Sequence, residues 1–204
     1  MVDGRWTSRE IPESCVSATL PPVSESIFQG RPSIIHHLPS TINVSYMSED
    51  LTIITGSKTE QYQALVPQIK ALLEGEPDLI ANLGNITAAL KEQFGWLWVG
   101  FYLVKGDELV LAPFQGPVAC TRIRKGRGVC GTAWQEMKTL IVPDVNVFPG
   151  HIACNSSSKS EIVIPLIINQ AVVGVFDADS SKYAEFDTTD QLYLGQILSL
   201  IRLS

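Results

Sequence analysis

Apolar residues recur at intervals of three and four between Lys58 and Leu73, with Tyr62, Leu65, Val66, Ile69, Leu72 and Leu73 on one side, and this period predicts a helix. Pro67 falls inside the pattern and predicts a late start or a kink. A second helical period runs through Leu79, Ile80, Leu83, Ile86, Leu90 and Phe94. It follows Pro77, a residue suited to a first helical position, and stops at Gly95. The pattern then tightens. Trp96 to Val104 is apolar on both alternating faces, so this strand is expected to be covered by helices on one side and by something else on the other, with Gly100 admitting a close neighbour. Lys105, Gly106 and Asp107 read as a hairpin turn into Glu108 to Pro113, and Phe114 to Val118 leads on to Cys120.

Further strands are expected at Arg122 to Lys125 and at Leu140 to Val142. Between them the Gly126-Arg127-Gly128 turn opens a short helix from Val129 to Met137. A long irregular segment, 146–160, follows, and a loop of that length inside a compact domain usually carries function. Glu161 to Ile168 and Ala171 to Asp179 form a hairpin around Asn169 and Gln170. Asp187 and Asp190 cap a last helix whose apolar side is Leu192, Leu194, Ile197, Leu198 and Ile201. This order predicts the α+β class, a single domain with a central antiparallel sheet and helices packed on one face.

Residues 1–46 do not share these periods. They contain no lysine and five of the chain's twelve prolines, which predicts a disordered or loosely draped extension, with Cys15, His36 and His37 carrying no function. Met47, followed by Ser48, Glu49 and Asp50, reads as a native start, so 47–204 is taken as the folded domain. The net charge of −6 argues against a nucleic-acid surface, and the one basic cluster, Arg122 to Arg127, reads as a solvated turn. No apolar run approaches the roughly 18 residues of a membrane span. Four scattered cysteines without a signal peptide fit a reducing cytoplasm rather than a disulfide framework.

The chemistry-bearing residues crowd between Cys120 and Asp179. Strand alternation puts Asp177 and Asp179 on one face with Val175, and Phe176 and Ala178 on the other. With Asn169 and Gln170 as the turn, residues whose numbers sum to 339 oppose one another, so Glu161 faces Ala178 with both aspartates beside it. Crowded carboxylates repel unless a cation, a metal or a shared proton is present, so a ligand ammonium would suit them, and a protonated carboxyl could donate to an oxygen. The cysteine spacings, ten residues from Cys120 to Cys130 and twenty-four from Cys130 to Cys154, match no zinc motif. His151 with Cys154 could form half a metal site, but Cys154 on a glycine-bounded loop also suits a reactive thiolate, and no metal is expected. Cys130, in the first turn of the short helix, is expected to have its thiolate favoured by the helix dipole.

Gly126-Arg-Gly-Val-Cys-Gly-Thr-Ala-Trp134, Val142-Pro-Asp-Val-Asn-Val-Phe-Pro-Gly-His-Ile-Ala-Cys154, Ser160-Glu-Ile-Val163 and Asp177-Ala-Asp179 closely resemble the free methionine-(R)-sulfoxide reductases, single domains of the GAF fold. The resemblance spans roughly Ser57 to the C-terminus, and the cysteine trio sets it apart from an ordinary GAF domain. It implies reduction of free methionine (R)-sulfoxide, in protection against oxidative damage, through cysteine sulfenic acid and disulfide intermediates. Cys154 would be the nucleophile, Cys120 the resolving thiol and Cys130 an alternative resolver or a packing residue. Glu161, Asp177 and Asp179 would bind the ammonium and polarise the sulfoxide, and Trp98 and Tyr102 would wall the methyl-sulfur end. Thioredoxin, supplied by NADPH through thioredoxin reductase, would restore the dithiol. No bound cofactor is implied, and a homodimer is. Asn155 and Lys159 depart from the family pattern near the nucleophile. A GAF module that only binds a ligand and a thiol redox sensor are the alternatives, and the second leaves the acid cluster unused.

Overall fold

The computed structural model of the chain describes residues 50–151 and 156–202. The extension 1–46, with Cys15, His36 and His37, lies outside the described residues, and so does Cys154. Four helices and six strands follow in the order α1 (Lys58–Leu72), α2 (Leu79–Phe94), β1 (Trp98–Lys105), β2 (Glu108–Gln115), β3 (Arg122–Arg124), α3 (Gly128–Glu136), β4 (Leu140–Val142), β5 (Ser160–Ile168), β6 (Ala171–Ser180) and α4 (Thr188–Leu198).

The helix ends are set by local chemistry. Ser57 and Glu60 form a capping box on α1, whose first turn therefore begins well before Pro67. The helix runs through the proline, with Leu65 and Ile69 on either side fully buried against the core. In α2 the cap is Asp78, whose carboxylate accepts from the Ala81 amide at 2.9 Å, so Pro77 precedes the cap instead of opening the helix as expected. Gly95 closes it in the left-handed conformation at φ 63°. Asp187 and Asp190 cap α4 as anticipated. Asp190, fully buried, also accepts from Lys58 Nζ at 2.6 Å and from the Tyr62 hydroxyl at 2.9 Å, which ties α1 to α4.

All strand pairs are antiparallel, in the order β3-β2-β1-β6-β5-β4. Alternation gives the sheet two buried faces. Val99, Phe101, Ile162, Ile164, Phe176 and Ala178 point into a core shared with α1, α2 and α4. Trp98, Tyr102, Val163 and Val175 point to the opposite side, where α3 and the segment around Val145 complete a second cluster. These supply the cover that the sequence left unnamed.

The β5–β6 hairpin turns at Asn169 and Gln170, both at positive φ (47° and 64°), as a two-residue connection requires. Its register differs from the simple count. Ile167 pairs with Val172 but Leu166 pairs with Gly174, so Val173 is an extra residue absorbed as a bulge. Beyond the bulge every pairing moves by one, and Glu161 lies directly opposite Asp179 instead of Ala178. Gly100 is obligatory on β1: a Cβ there would sit 2.4 Å from Phe114 Cβ and 2.6 Å from the Trp98 ring.

Candidate active site

The bulged register converges the three acids on the α3 side of the sheet. Asp179 pairs with Glu161 on one side and with Trp98 on the other, and Asp177 stands opposite Gly100, where no side chain intervenes. Glu161 and Asp177 are each only 6% exposed, and Asp179 is half-buried. Among the described residues no ion pair involves any of them. A buried carboxylate without a counter-charge favours its neutral form. Burial, and then the neighbouring aspartates, hold the Glu161 carboxyl well above the ordinary carboxylate range. Burial and Asp179 do the same to Asp177. Asp179 is raised by burial to about 6, with a hydrogen bond from Ser158 pulling against the rise.

Cys130 reaches this cluster from α3, its Sγ 3.9 Å from Glu161 Oε1. Here the expectation of a favoured thiolate fails. The thiol is buried and faces Asp177 and Glu161, so desolvation and then like charge push it well above its usual value, overriding the helix dipole. Donor atoms of Cys130, Glu161 and Asp177 lie within 4.8 Å of one another, a spacing that could hold a metal ion. A closed zinc site takes four ligands, and these three would all have to surrender protons that burial makes them keep.

The acids floor a cavity of about 590 Å³, counting its open mouth. Trp98 and Tyr102 form one wall, with ring centroids 5.9 Å apart, and Phe114 stacks behind Trp98. The Tyr102 hydroxyl donates to the Cys120 carbonyl at 3.0 Å, which fixes the backbone of that cysteine beside the wall. Burial, followed by the charge of Asp177, raises the Tyr102 phenol and keeps it a donor. Cys120 is disulfide-bonded, whereas Cys130 is free. Two buried polar atoms of the cavity have no hydrogen-bond partner among the described residues: Asp177 Oδ1, an acceptor or a protonated donor, and Trp98 Nε1, a donor. Orphaned groups of both kinds in one water-accessible hollow are the mark of a polar ligand site.

Seven of the eight anticipated residues can thus be placed: Trp98, Tyr102, Cys130, Glu161, Asp177 and Asp179 line one cavity, and Cys120 is fastened to its wall. Cys154 belongs to the undescribed segment. Sequence reasoning missed Ser158, which lines the cavity and bonds Asp179 at 2.5 Å. Three consecutive serines, 156–158, read as loop, and only the entry into β5 decides which of them turns inward. His151 also lines the cavity, and partial burial lowers its pKa, favouring the neutral imidazole.

The GAF domain family matches residues 78–203. GAF domain-containing protein A of Dictyostelium discoideum is 67% identical over 156 residues, 76% of this chain and 99% of that protein. The free methionine-R-sulfoxide reductase of Escherichia coli is 45% identical over 144 residues, 70% of this chain and 87% of the relative. Among solved structures, free methionine-R-sulfoxide reductase from Neisseria meningitidis, in complex with its substrate, matches with a TM-score of 0.74 at 52% identity, covering 76% of this chain and 93% of that one.

Proposed function

The chain belongs to the free methionine-R-sulfoxide reductase family of GAF-domain proteins, and from that premise we propose that it reduces free L-methionine (R)-sulfoxide to methionine, with thioredoxin as reductant. The observation that carries the assignment is the trio of acids, two buried and one half-buried, unpaired with any cation among the described residues, around an orphaned Asp177 oxygen. A free amino acid answers it with an ammonium at one end and a polar sulfoxide at the other. Peptide-bound methionine has no such ammonium.

The acids divide the work by burial. Glu161 and Asp177, held neutral, donate to the sulfoxide oxygen. Asp179, less buried and raised only to about 6, is ionised near neutral pH and takes the ammonium. Trp98 and Tyr102 enclose the methyl-sulfur end. The Cys154 thiolate attacks the sulfur, the oxygen passes to the cysteine as it is protonated, and methionine leaves with Cys154 as sulfenic acid. The Cys120 thiol then attacks the sulfenic sulfur, its proton leaving with the hydroxyl as water, and closes the Cys120–Cys154 disulfide, which a dithiol protein reopens by exchange. Cys120's disulfide state supports the resolving role. Cys130, kept as a thiol under the acids, is neither nucleophile nor main resolver. A reducing compartment, the cytoplasm, suits this cycle, and we propose that the chain works there as a homodimer.

The test is NADPH consumption in the presence of thioredoxin and thioredoxin reductase, with free (R)-sulfoxide, free (S)-sulfoxide and a peptide sulfoxide compared. Consumption with the free (R) form alone is expected. Absence of turnover with it, or equal turnover of the peptide, overturns the reading.

A further inference from the structure

Ser158 lies two residues before β5 and four after Cys154 in the chain. It is 6% exposed, and its hydroxyl donates to Asp179 Oδ1 at 2.5 Å. The backbone around it is fastened on three sides. Lys159 N donates to the Ser180 carbonyl at 2.8 Å, Val145 N donates to the Lys159 carbonyl at 2.9 Å, and Ser160 Oγ donates to the Lys182 carbonyl at 2.7 Å. A hydroxyl held this way cannot follow Asp179 if the carboxylate turns, so it fixes the orientation of the acid. One oxygen of Asp179 is occupied and the other is left for the cavity.

We propose that Ser158 is a positioning residue that clamps one oxygen of Asp179 and presents the other, ionised, to the ammonium of the substrate. The inference rests on the reading of the cavity as a free methionine sulfoxide site. The titratable groups facing Asp179 are Glu161 opposite on β5, Asp177 two residues along β6, Cys130 from α3 and Tyr102 on β1, with His151 and Arg127 across the cavity. Burial opposes ionisation of Asp179, and among the described residues the Ser158 hydrogen bond favours it.

The experiment compares wild type, Ser158→Ala and Ser158→Thr by kcat and KM for free methionine (R)-sulfoxide from pH 5.5 to 8.5. Loss of the hydroxyl moves the acid limb of kcat/KM, set by Asp179 at about 6, upward by about one pH unit, a deficit of about eightfold at pH 5.5 that falls to about threefold at pH 6.5 and closes by pH 8.5. Most of the deficit falls on KM, because an ammonium contact is made in ground and transition states alike. Threonine, which keeps the hydroxyl, restores the wild-type limb. Titration of the nucleophile is common to all three proteins and cancels in the comparison. A uniform loss across pH, an unshifted limb, or a deficit confined to kcat overturns the proposal. A wild type inactive on the free sulfoxide overturns the reading of the cavity, and this inference with it.

Discussion

The two faces of the sheet are built from the same strands, one residue out of step, and they do opposite work. On the helix side, Val99, Phe101, Ile162, Phe176 and Ala178 are fully buried against α1, α2 and α4 with no polar side chain among them. Each large apolar group buried there contributes on the order of 1.5–3 kcal/mol. On the α3 side, the neighbouring positions are Trp98, Glu161, Asp177 and Asp179, where burial raises the cost of ionisation and leaves polar atoms unpaired. The dry face offsets the strain of the acid face. A period of two is therefore enough to separate stability from chemistry within one β-hairpin, and a mutation's effect follows from which face it lands on.

The sharpest way to break this division is to remove an acid. Glu161→Gln should lower kcat/KM by roughly 10²–10⁴-fold if Glu161 is the proton donor, while raising the unfolding midpoint of the ligand-free protein at neutral pH, since the amide is buried neutral without having to take up a proton. Steady-state kinetics and thermal denaturation on one sample check both halves, and a variant that loses activity and stability together would refute the division. The converse is Phe176→Ala, one residue away and facing the helices. It should cost about 3–5 kcal/mol of stability through the cavity it leaves. Its KM for the sulfoxide, measured where the variant is folded, should stay within about threefold of wild type, because the residue faces away from the ligand.

The smallest effect is on pH dependence. The folded pKa values of Glu161, Asp177 and Asp179 lie above their unfolded values, so the stability these groups contribute is complete below the unfolded pKa. It is lost as pH rises through the folded one, about 6 for Asp179. The ligand-free protein should accordingly melt at a higher temperature at pH 5 than at pH 7.5. His151, whose pKa is lowered, works in the other direction as pH falls. The pH difference should shrink in Asp179→Asn, and an unchanged difference there would remove Asp179 from the account.

What could be read from the chain alone was what depends on near neighbours. The Asp187–Asp190 cap and the Gly95 stop act within one helical turn, and strand alternation placed Asp177 and Asp179 on one side without any tertiary information. The turn at Asn169 and Gln170 was legible too, but the bulge at Val173 was not, because it is imposed by packing of β6 against β1 at Gly174, where a Cβ would approach the Tyr102 carbonyl to 2.7 Å. That single residue decides that Glu161 meets Asp179. Cys130 was misjudged for a related reason: its place in the first turn of α3 is local, whereas the burial that keeps it protonated, and then the carboxylates that add to it, come from packing against β5 and β6. Ser158 owes its role to the same long-range closure.

The central claim, that a thiol chemistry centred on Cys154 works on a free amino acid held by the acid face, is tested most directly in a single turnover. Reduced protein mixed with excess free methionine (R)-sulfoxide, without any reductant, should release about one methionine per chain in the wild type and in Cys120→Ser, and none in Cys154→Ser. Methionine formed at the wild-type rate by Cys154→Ser would contradict the account.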